Sequence, residues 1–459
     1  MVLGSKPSSL TEDAVESCVR VLEAARDLEP DDPRYLRLEQ AVAHLIKTGK
    51  KKRRNQRKRT SREVDRRLLD GASVGRDPSP EPEADRSPPL GELRNQRTCY
   101  TCKRPYRVVD SFYQMLCPPC AELNFSRRTA RADLQERRAL VTGGRIKIGF
   151  HCALKLLRDG ASVTVTTRFP RDAVRRYAAE PDFESWRRRL TVLGLDLRHL
   201  DAVLQLTDEL ATGEPLDILI NNAAQTVRRP PAYYSELAEA ETLPLPPELQ
   251  ALCEDGPSKV PAVTKGRLPD FLNACRAESA PELFPPGTLD ETGQPLDLRS
   301  ENSWIQQVEA VDPLELVEVQ VINAIVPFLL LSRLHPVLTR SRFPDRYVVN
   351  VSAVEGQFGR VRKTAHHPHT NMAKAALNML TRTSAQALVE DGIHLCSVDT
   401  GWITDENPHP LKTLSRAKGF RTPLDVIDGA ARVYDPIVRG VAGNPVHGCF
   451  LKDYEVTKW

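Results

Sequence analysis

Apolar residues recur at helical spacing over the first fifty positions. Val15, Cys18, Val19 and Leu22 share one face, and Leu38, Ala41, Val42, Leu45 and Ile46 share another, which predicts a helical hairpin over residues 1–48. Ser9 and Glu12 have the spacing of a capping box, and Asp31-Asp32-Pro33 suits the start of the second helix. So small a hairpin buries little alone and needs the main domain or a partner to dock on. From Ala139 onward the pattern changes to short β-rich runs, Ala139–Val141, Ser162–Thr166, Leu216–Ile220, Tyr347–Val351 and His394–Val398, each beside a helical pattern. That alternation predicts a doubly wound α/β domain with a parallel sheet over residues 136–459. Between Asn222 and Asn323 the chain exceeds what one strand-to-helix connection needs. Leu243–Leu252 and Leu268–Ala277 read there as short helices. An insertion over about 226–310 is therefore expected, either a lid attached beside the substrate side, which its position favours, or a mobile appendage.

Composition changes this picture only locally. The 459 residues carry a net charge of +4, so the whole chain is not a polyanion binder by charge alone. Lys50 to Arg59, however, reads KKKRRNQRKR. Such a run is a solvated linker or helix end, or a docking patch for nucleic acid or another polyanion, and the N-terminal extension as a whole could dock a protein or nucleic-acid partner. Pro, Ser, Asp and Glu then dominate Gly71–Gly91, so residues 49–95 read as a disordered linker, basic and then acidic. The most apolar stretch, Val317–Leu331, is interrupted by Glu318, Gln320 and Asn323, and no membrane span is expected. The N-terminus lacks a secretory pattern, which places the chain in the cytoplasm as an expectation.

Two stretches carry chemistry. Cys99-Tyr-Thr-Cys102 and Cys117-Pro-Pro-Cys120 are two CxxC knuckles separated by fourteen residues, within a module over 96–125. Each knuckle offers two thiolates to one tetrahedral ion, which predicts Zn²⁺ in a closed, structural site. A thiol–disulfide role is the weaker alternative. The second stretch is Arg138-Ala-Leu-Val-Thr-Gly-Gly-Arg-Ile-Lys-Ile-Gly149, a strand, a glycine turn and the start of a helix. Free N–H groups and the helix dipole there suit a pyrophosphate.

From Arg138 on, apart from the insertion, the chain resembles the short-chain dehydrogenase/reductase family. Gly143 and Gly149 match the outer glycines of its TGxxxGxG loop, and Thr142, Arg145, Lys147 and Ile148 complete the segment, with Lys147 at the middle glycine. The resemblance implies that Asp196, followed by Leu197, holds the adenine amino group. Asn221-Asn222-Ala223-Ala224 is similar to the family's NNAG, and Thr400-Gly401-Trp402-Ile403-Thr404 to its PGxIxT segment at the nicotinamide. Lys374 matches the lysine that grips the nicotinamide ribose, and Asn323 the asparagine that holds a relay water. After the second strand, Arg168 stands without an acid at the diagnostic position, which favours NADP(H) over NAD(H), with Arg145 in reach to help. Family members commonly form homo-oligomers, and a small-molecule substrate is expected.

The pattern breaks at the chemistry. Thr370 stands four residues before Lys374, where the family has its catalytic tyrosine, and Ala353 stands where it has its serine. Ser352 is the neighbouring hydroxyl. His369, beside Thr370 and near His366 and His367, is a candidate replacement acid. Two readings follow: an oxidoreductase acting on a carbonyl or hydroxyl group with a different proton donor, or a non-catalytic dinucleotide-binding regulatory or scaffold protein.

Overall fold

The computed structural model describes residues 10–74, 87–254, 268–290, 292–359 and 363–459. Helix α1 (Glu12–Ala24) is capped by Thr11, whose hydroxyl accepts from the Ala14 N–H at 3.3 Å; Ser9 lies outside the described residues. Helix α2 (Pro33–Asp70) starts as expected, with the Asp32 carboxylate accepting from the Arg34 N–H at 2.7 Å. It does not stop at the basic run. The expected linker over 49–95 is helical to Asp70 and extended again from Gly91, while residues 75–86 lie outside the described residues. The physical reason lies in Lys50–Asp70, which contains neither Gly nor Pro and is built mostly of Lys, Arg, Gln and Glu, all good helix formers.

Strands β1 (Gly91–Thr98) and β2 (Pro105–Val109) pair antiparallel, and helix α3 (Pro118–Arg128) follows the second cysteine knuckle. Leu93, Tyr106, Val109, Tyr113 and Leu116 form a small core that α2 completes through Leu69. The Asp65 carboxylate on α2 accepts from the Arg94 and Asn95 N–H groups at 2.6 and 3.0 Å, fixing the helix to β1.

The dinucleotide-type domain contains β3 (Arg138–Thr142), helix α4 (Lys147–Arg158), β4 (Ser162–Thr167), β5 (Leu190–Gly194), β6 (Ile218–Asn221), β7 (Arg346–Ser352), β8 (Ile393–Asp399), β9 (Phe450–Lys452) and β10 (Glu455–Thr457). Their order is β5-β4-β3-β6-β7-β8-β9-β10, parallel throughout except for β10. Strand order reverses between β3 and β6, the switch point where such sheets open a crevice at their C-terminal edge. Both faces are buried, which is why the strands read as continuous apolar runs. A polar chain crosses this core: Asn221 donates to Asn350, Asn350 to Thr381, and Thr381 bonds Ser397, at 2.8, 2.9 and 2.7 Å.

One helix is more apolar and more continuous than its sequence suggests. The helix Pro313–Thr339, 27 residues at mean hydropathy 1.9, is long and apolar enough to cross a membrane by length and composition. A π turn over Val321–Ile325 joins its two halves, so the polar interruptions do not break it. Its apolar side, with Val326, Leu330, Leu334 and Val337, packs into the sheet core.

The insertion forms short helices at Pro247–Glu254 and Leu268–Ala277, close to the expected ones. Tyr233, Tyr234, Leu237, Cys275 and Phe284 gather there with Phe169 into a separate apolar cluster. His366 and His367 clamp the end of the insertion: their Nδ1 atoms bond the carbonyls of Ile305 and Trp304 at 2.6 and 2.7 Å, and the His367 ring stacks on Trp304.

Candidate functional site

A cavity of about 1200 Å³ opens along the C-terminal ends of β3 to β8. One wall comes from each strand-to-helix connection, from the glycine turn after β3 to Asp399–Asn407 after β8.

The glycine turn is built for close approach. Gly143 has φ +71°, and a Cβ on Gly149 would fall 2.2 Å from the Gly143 carbonyl oxygen and 2.4 Å from Asn222 Nδ2. The Thr142 hydroxyl accepts from the N–H groups of Asn222 and Ala223 at 3.0 Å each, and Asn222 Nδ2 donates to the Thr142 and Gly143 carbonyls. No side chain caps α4, so its first N–H groups are left without a side-chain acceptor at the cavity wall. Lys147, at the middle glycine of the pattern, keeps a glycine backbone, with φ +52°. Its Nζ lies 3.5 Å from Glu406 Oε1, and the Thr404 hydroxyl donates to the same oxygen at 2.7 Å. Burial pushes the Glu406 carboxyl up, but Lys147 and Thr404 outweigh it and bring it down to about 2.

At the far end of this cradle lie Arg168, Asp196 and Leu197. The Arg168 guanidinium donates to the Tyr234 hydroxyl at 3.0 Å and lies against the rings of Tyr234 and Phe271; its charge, with that of Arg198, helps lower the Asp196 carboxyl. Arg145 is different. It is buried, pairs with Asp172 at 2.7 Å and donates to Gln294 Oε1 at 2.6 Å, so its charge is already answered within the chain. Asp196 is paired with Arg198.

At the other end are Ser352, Ala353, Thr370, Lys374, Asp399, Gly401 and Ile403. Lys374 is buried and donates to the Val351 carbonyl at 2.8 Å; burial, opposed by Glu355, lowers its amine to about 8. The Thr370 hydroxyl is buried without a hydrogen-bond partner. Ser352 donates to Asn378 Oδ1 at 2.6 Å, so its hydroxyl is held by the helix behind it.

Three candidates are not brought to the cavity, and the first, Thr142, is buried behind the glycine turn, where its hydroxyl holds the Asn222 and Ala223 backbone. His369 faces the helix Pro313–Gln320, with Nε2 3.5 Å from Glu315 Oε1, because one position along a helix turns the side chain by about 100° from Thr370. The Asn323 side chain is tied to the backbone of Gln225 at 2.8 and 3.2 Å, which fixes the chain leaving β6.

Three contributors escaped sequence reasoning. Asp399, at the end of β8, lines the cavity; burial raises its carboxyl to about 6. Tyr100 and Lys103 enter the cavity wall from the cysteine module, and the Tyr100 hydroxyl accepts from the Trp402 N–H at 2.8 Å. Nothing in the spacing of CxxC announces such docking.

The four cysteine sulfurs lie within 4.8 Å of one another, and those of Cys102 and Cys117 are 3.6 Å apart. A tetrahedral ion with sulfur at about 2.3 Å needs separations of roughly 3.8 Å, so Cys99, Cys102, Cys117 and Cys120 fit one. The module is seated on the main domain by buried polar contacts. Tyr113 donates to Asp428 at 2.6 Å, Arg128 pairs with Asp425 at 2.7 Å, and Arg432 donates to Asn124 at 2.7 Å.

The family model for short chain dehydrogenases matches residues 137–242. An uncharacterized protein of Acanthamoeba polyphaga mimivirus is 34% identical over 361 residues, 74% of this chain and 71% of that protein. The structure is similar to the RhlG/NADP complex of Pseudomonas aeruginosa, at 19% identity and TM-score 0.43, covering 70% of this chain and 95% of that one. It is also similar to a Burkholderia cenocepacia short chain dehydrogenase in complex with NADP, at 20% identity and TM-score 0.43, covering 70% and 96%.

Proposed function

We propose that this chain, which belongs to the short-chain dehydrogenase family, is an NADP(H)-dependent oxidoreductase acting on a carbonyl or hydroxyl substrate. The observation that carries the reading is one continuous cavity joining the glycine cradle to Lys374 and Thr370. Gly143, Gly149 and the first turn of α4 would hold the pyrophosphate. Arg168, whose guanidinium is hydrogen-bonded to the Tyr234 hydroxyl at the cavity wall, would take the 2′-phosphate. The dinucleotide would supply the reducing equivalents. Within the chain, the unpartnered Thr370 hydroxyl hydrogen-bonds the substrate oxygen, and Lys374 Nζ, an amine near 8, holds the proton that oxygen needs. Cys99, Cys102, Cys117 and Cys120 hold Zn²⁺ as a closed structural site that keeps Tyr100 against Trp402.

The replacement of the phenol by Thr370 favours a second reading, a dinucleotide-binding protein without turnover. One experiment separates the two. NADPH and NADH are titrated by tryptophan fluorescence into the wild type and Arg168→Glu, and NADPH consumption is followed over a panel of aldehydes and ketones. NADPH should bind at least about tenfold more tightly than NADH, with Arg168→Glu removing that preference. If neither dinucleotide binds, both readings fail. Binding without consumption, together with activity gained in Thr370→Tyr, favours the second.

A further inference from the structure

We propose that α2 and the outer face of the β1–β2 hairpin form a binding site for duplex DNA. The inference is independent of the oxidoreductase reading. From Lys47 to Arg67 the sequence has twelve Lys and Arg against two acids, Glu63 and Asp65. Neither acid is paired with a cation of Lys50 to Arg59: Glu63 pairs with Arg66 and Arg67, and Asp65 is bound by the Arg94 and Asn95 N–H groups. Every residue from Lys50 to Thr60 is exposed, so this part of α2 stands clear of the body on all sides.

The distribution of charge selects the partner. At about 100° per residue, Lys51 and Lys58 point one way, Arg53 and Arg57 nearly opposite, and Lys52 and Arg59 between them. No apolar residue occurs from Lys47 to Glu63, so no stripe is available to enter a lipid surface. A cylinder charged all round suits a groove with phosphates on both walls. A helix of about 10–12 Å diameter fits the B-form major groove, about 12 Å wide, whereas the A-form groove is too narrow to admit side chains. The exposed Arg94, Arg97 and Arg107 continue the basic surface onto the hairpin that Asp65 fixes to α2. Like charges four apart, Lys50 with Arg54 and Arg54 with Lys58, repel along the free helix, and a polyanion relieves that repulsion.

The test uses the full chain and a fluorescein-labelled 20-base-pair DNA duplex, followed by anisotropy between 50 and 200 mM KCl. With about six phosphate contacts the affinity should fall roughly a thousandfold across that range. Lys51→Gln/Arg54→Gln/Lys58→Gln, which keeps good helix formers, should weaken binding about thirtyfold or more at unchanged melting temperature. Three results overturn the proposal: no binding at 50 mM KCl, equal binding by the triple variant, or tighter binding to duplex RNA or phosphatidylserine vesicles than to DNA.

Discussion

At the proposed nucleotide end of the cavity Lys147 occupies a glycine position of the family pattern and keeps the glycine backbone, with φ +52°. At the substrate end Thr370 occupies the phenol position and keeps neither the reach nor the acidity of a phenol. The two substitutions differ in what the position contributed. The glycine position contributed a backbone course, and a course can survive a side chain when Glu406 and Thr404 hold that side chain aside. The phenol position contributed a titrating atom, and an atom cannot be kept once the residue is changed. Functions carried by backbone N–H groups therefore tolerate this sequence drift better than functions carried by one side chain.

The sharpest break of that comparison is Gly149→Ala. Its methyl would meet the Gly143 carbonyl at 2.2 Å, and the backbone cannot yield without opening the cradle. Overpacking of this kind costs about 1–3 kcal/mol, read as a lower melting temperature. NADPH affinity should fall about a hundredfold or more, a loss of roughly 2.7 kcal/mol of binding. Affinity within threefold of the wild type would show that the glycine turn is not where the dinucleotide lies.

Next in size is Lys374→Met, which addresses the substrate end. Burial lowers the amine from 10.5 to about 8, so the cost of the buried ammonium is present in full below pH 8 and vanishes above 10.5. At about 1.36 kcal/mol per pKa unit the variant should gain up to roughly 3 kcal/mol of stability at neutral pH. Wild-type stability owed to this group should rise between pH 8 and 10.5, and the variant should lack that rise in denaturant titrations. Activity should disappear in Lys374→Met, and wild-type kcat for reduction should fall as pH rises through about 8. A variant less stable at pH 7 would mean that Lys374 is a structural contact and not a site held at a cost.

The parts of this molecule legible in sequence are those with a period or a spacing. β3, β4, β6, β7 and β8 were visible as apolar runs, and the four cysteines as paired knuckles that meet within 4.8 Å. Contacts between distant segments were not visible. Tyr100 reaching Trp402, Asp399 lining the cavity and His367 clamping Trp304 depend on docking, which no local pattern encodes. The basic run admits either a linker or a helix end by its charge, and it is helix because its residues are individually good helix formers. His369 was attractive because it adjoins Thr370 in sequence, yet adjacency on a helix separates faces.

The smallest expected effect is also the finest test of the comparison. Lys147→Gly removes a left-handed lysine, worth about 1–2 kcal/mol of strain, but lets the unfolded chain gain freedom worth about 0.4–1 kcal/mol. The melting temperature should therefore move little, by the equivalent of about 1 kcal/mol or less. Binding should move in a definite direction. Without Lys147, the chief cation lowering Glu406, that carboxylate stays in the cavity with less of its charge answered and opposes a pyrophosphate. NADPH affinity should fall roughly tenfold, about 1.4 kcal/mol, and Glu406→Gln added to Lys147→Gly should restore most of it. If Lys147→Gly instead binds more tightly, the lysine obstructs the cradle and its charge does not compensate for the lost glycine. Restoration by Glu406→Gln would show that the glycine was exchanged for a compensated charge pair. The two ends of one cavity would then have diverged by different physical routes, one by replacing a group and one by balancing it.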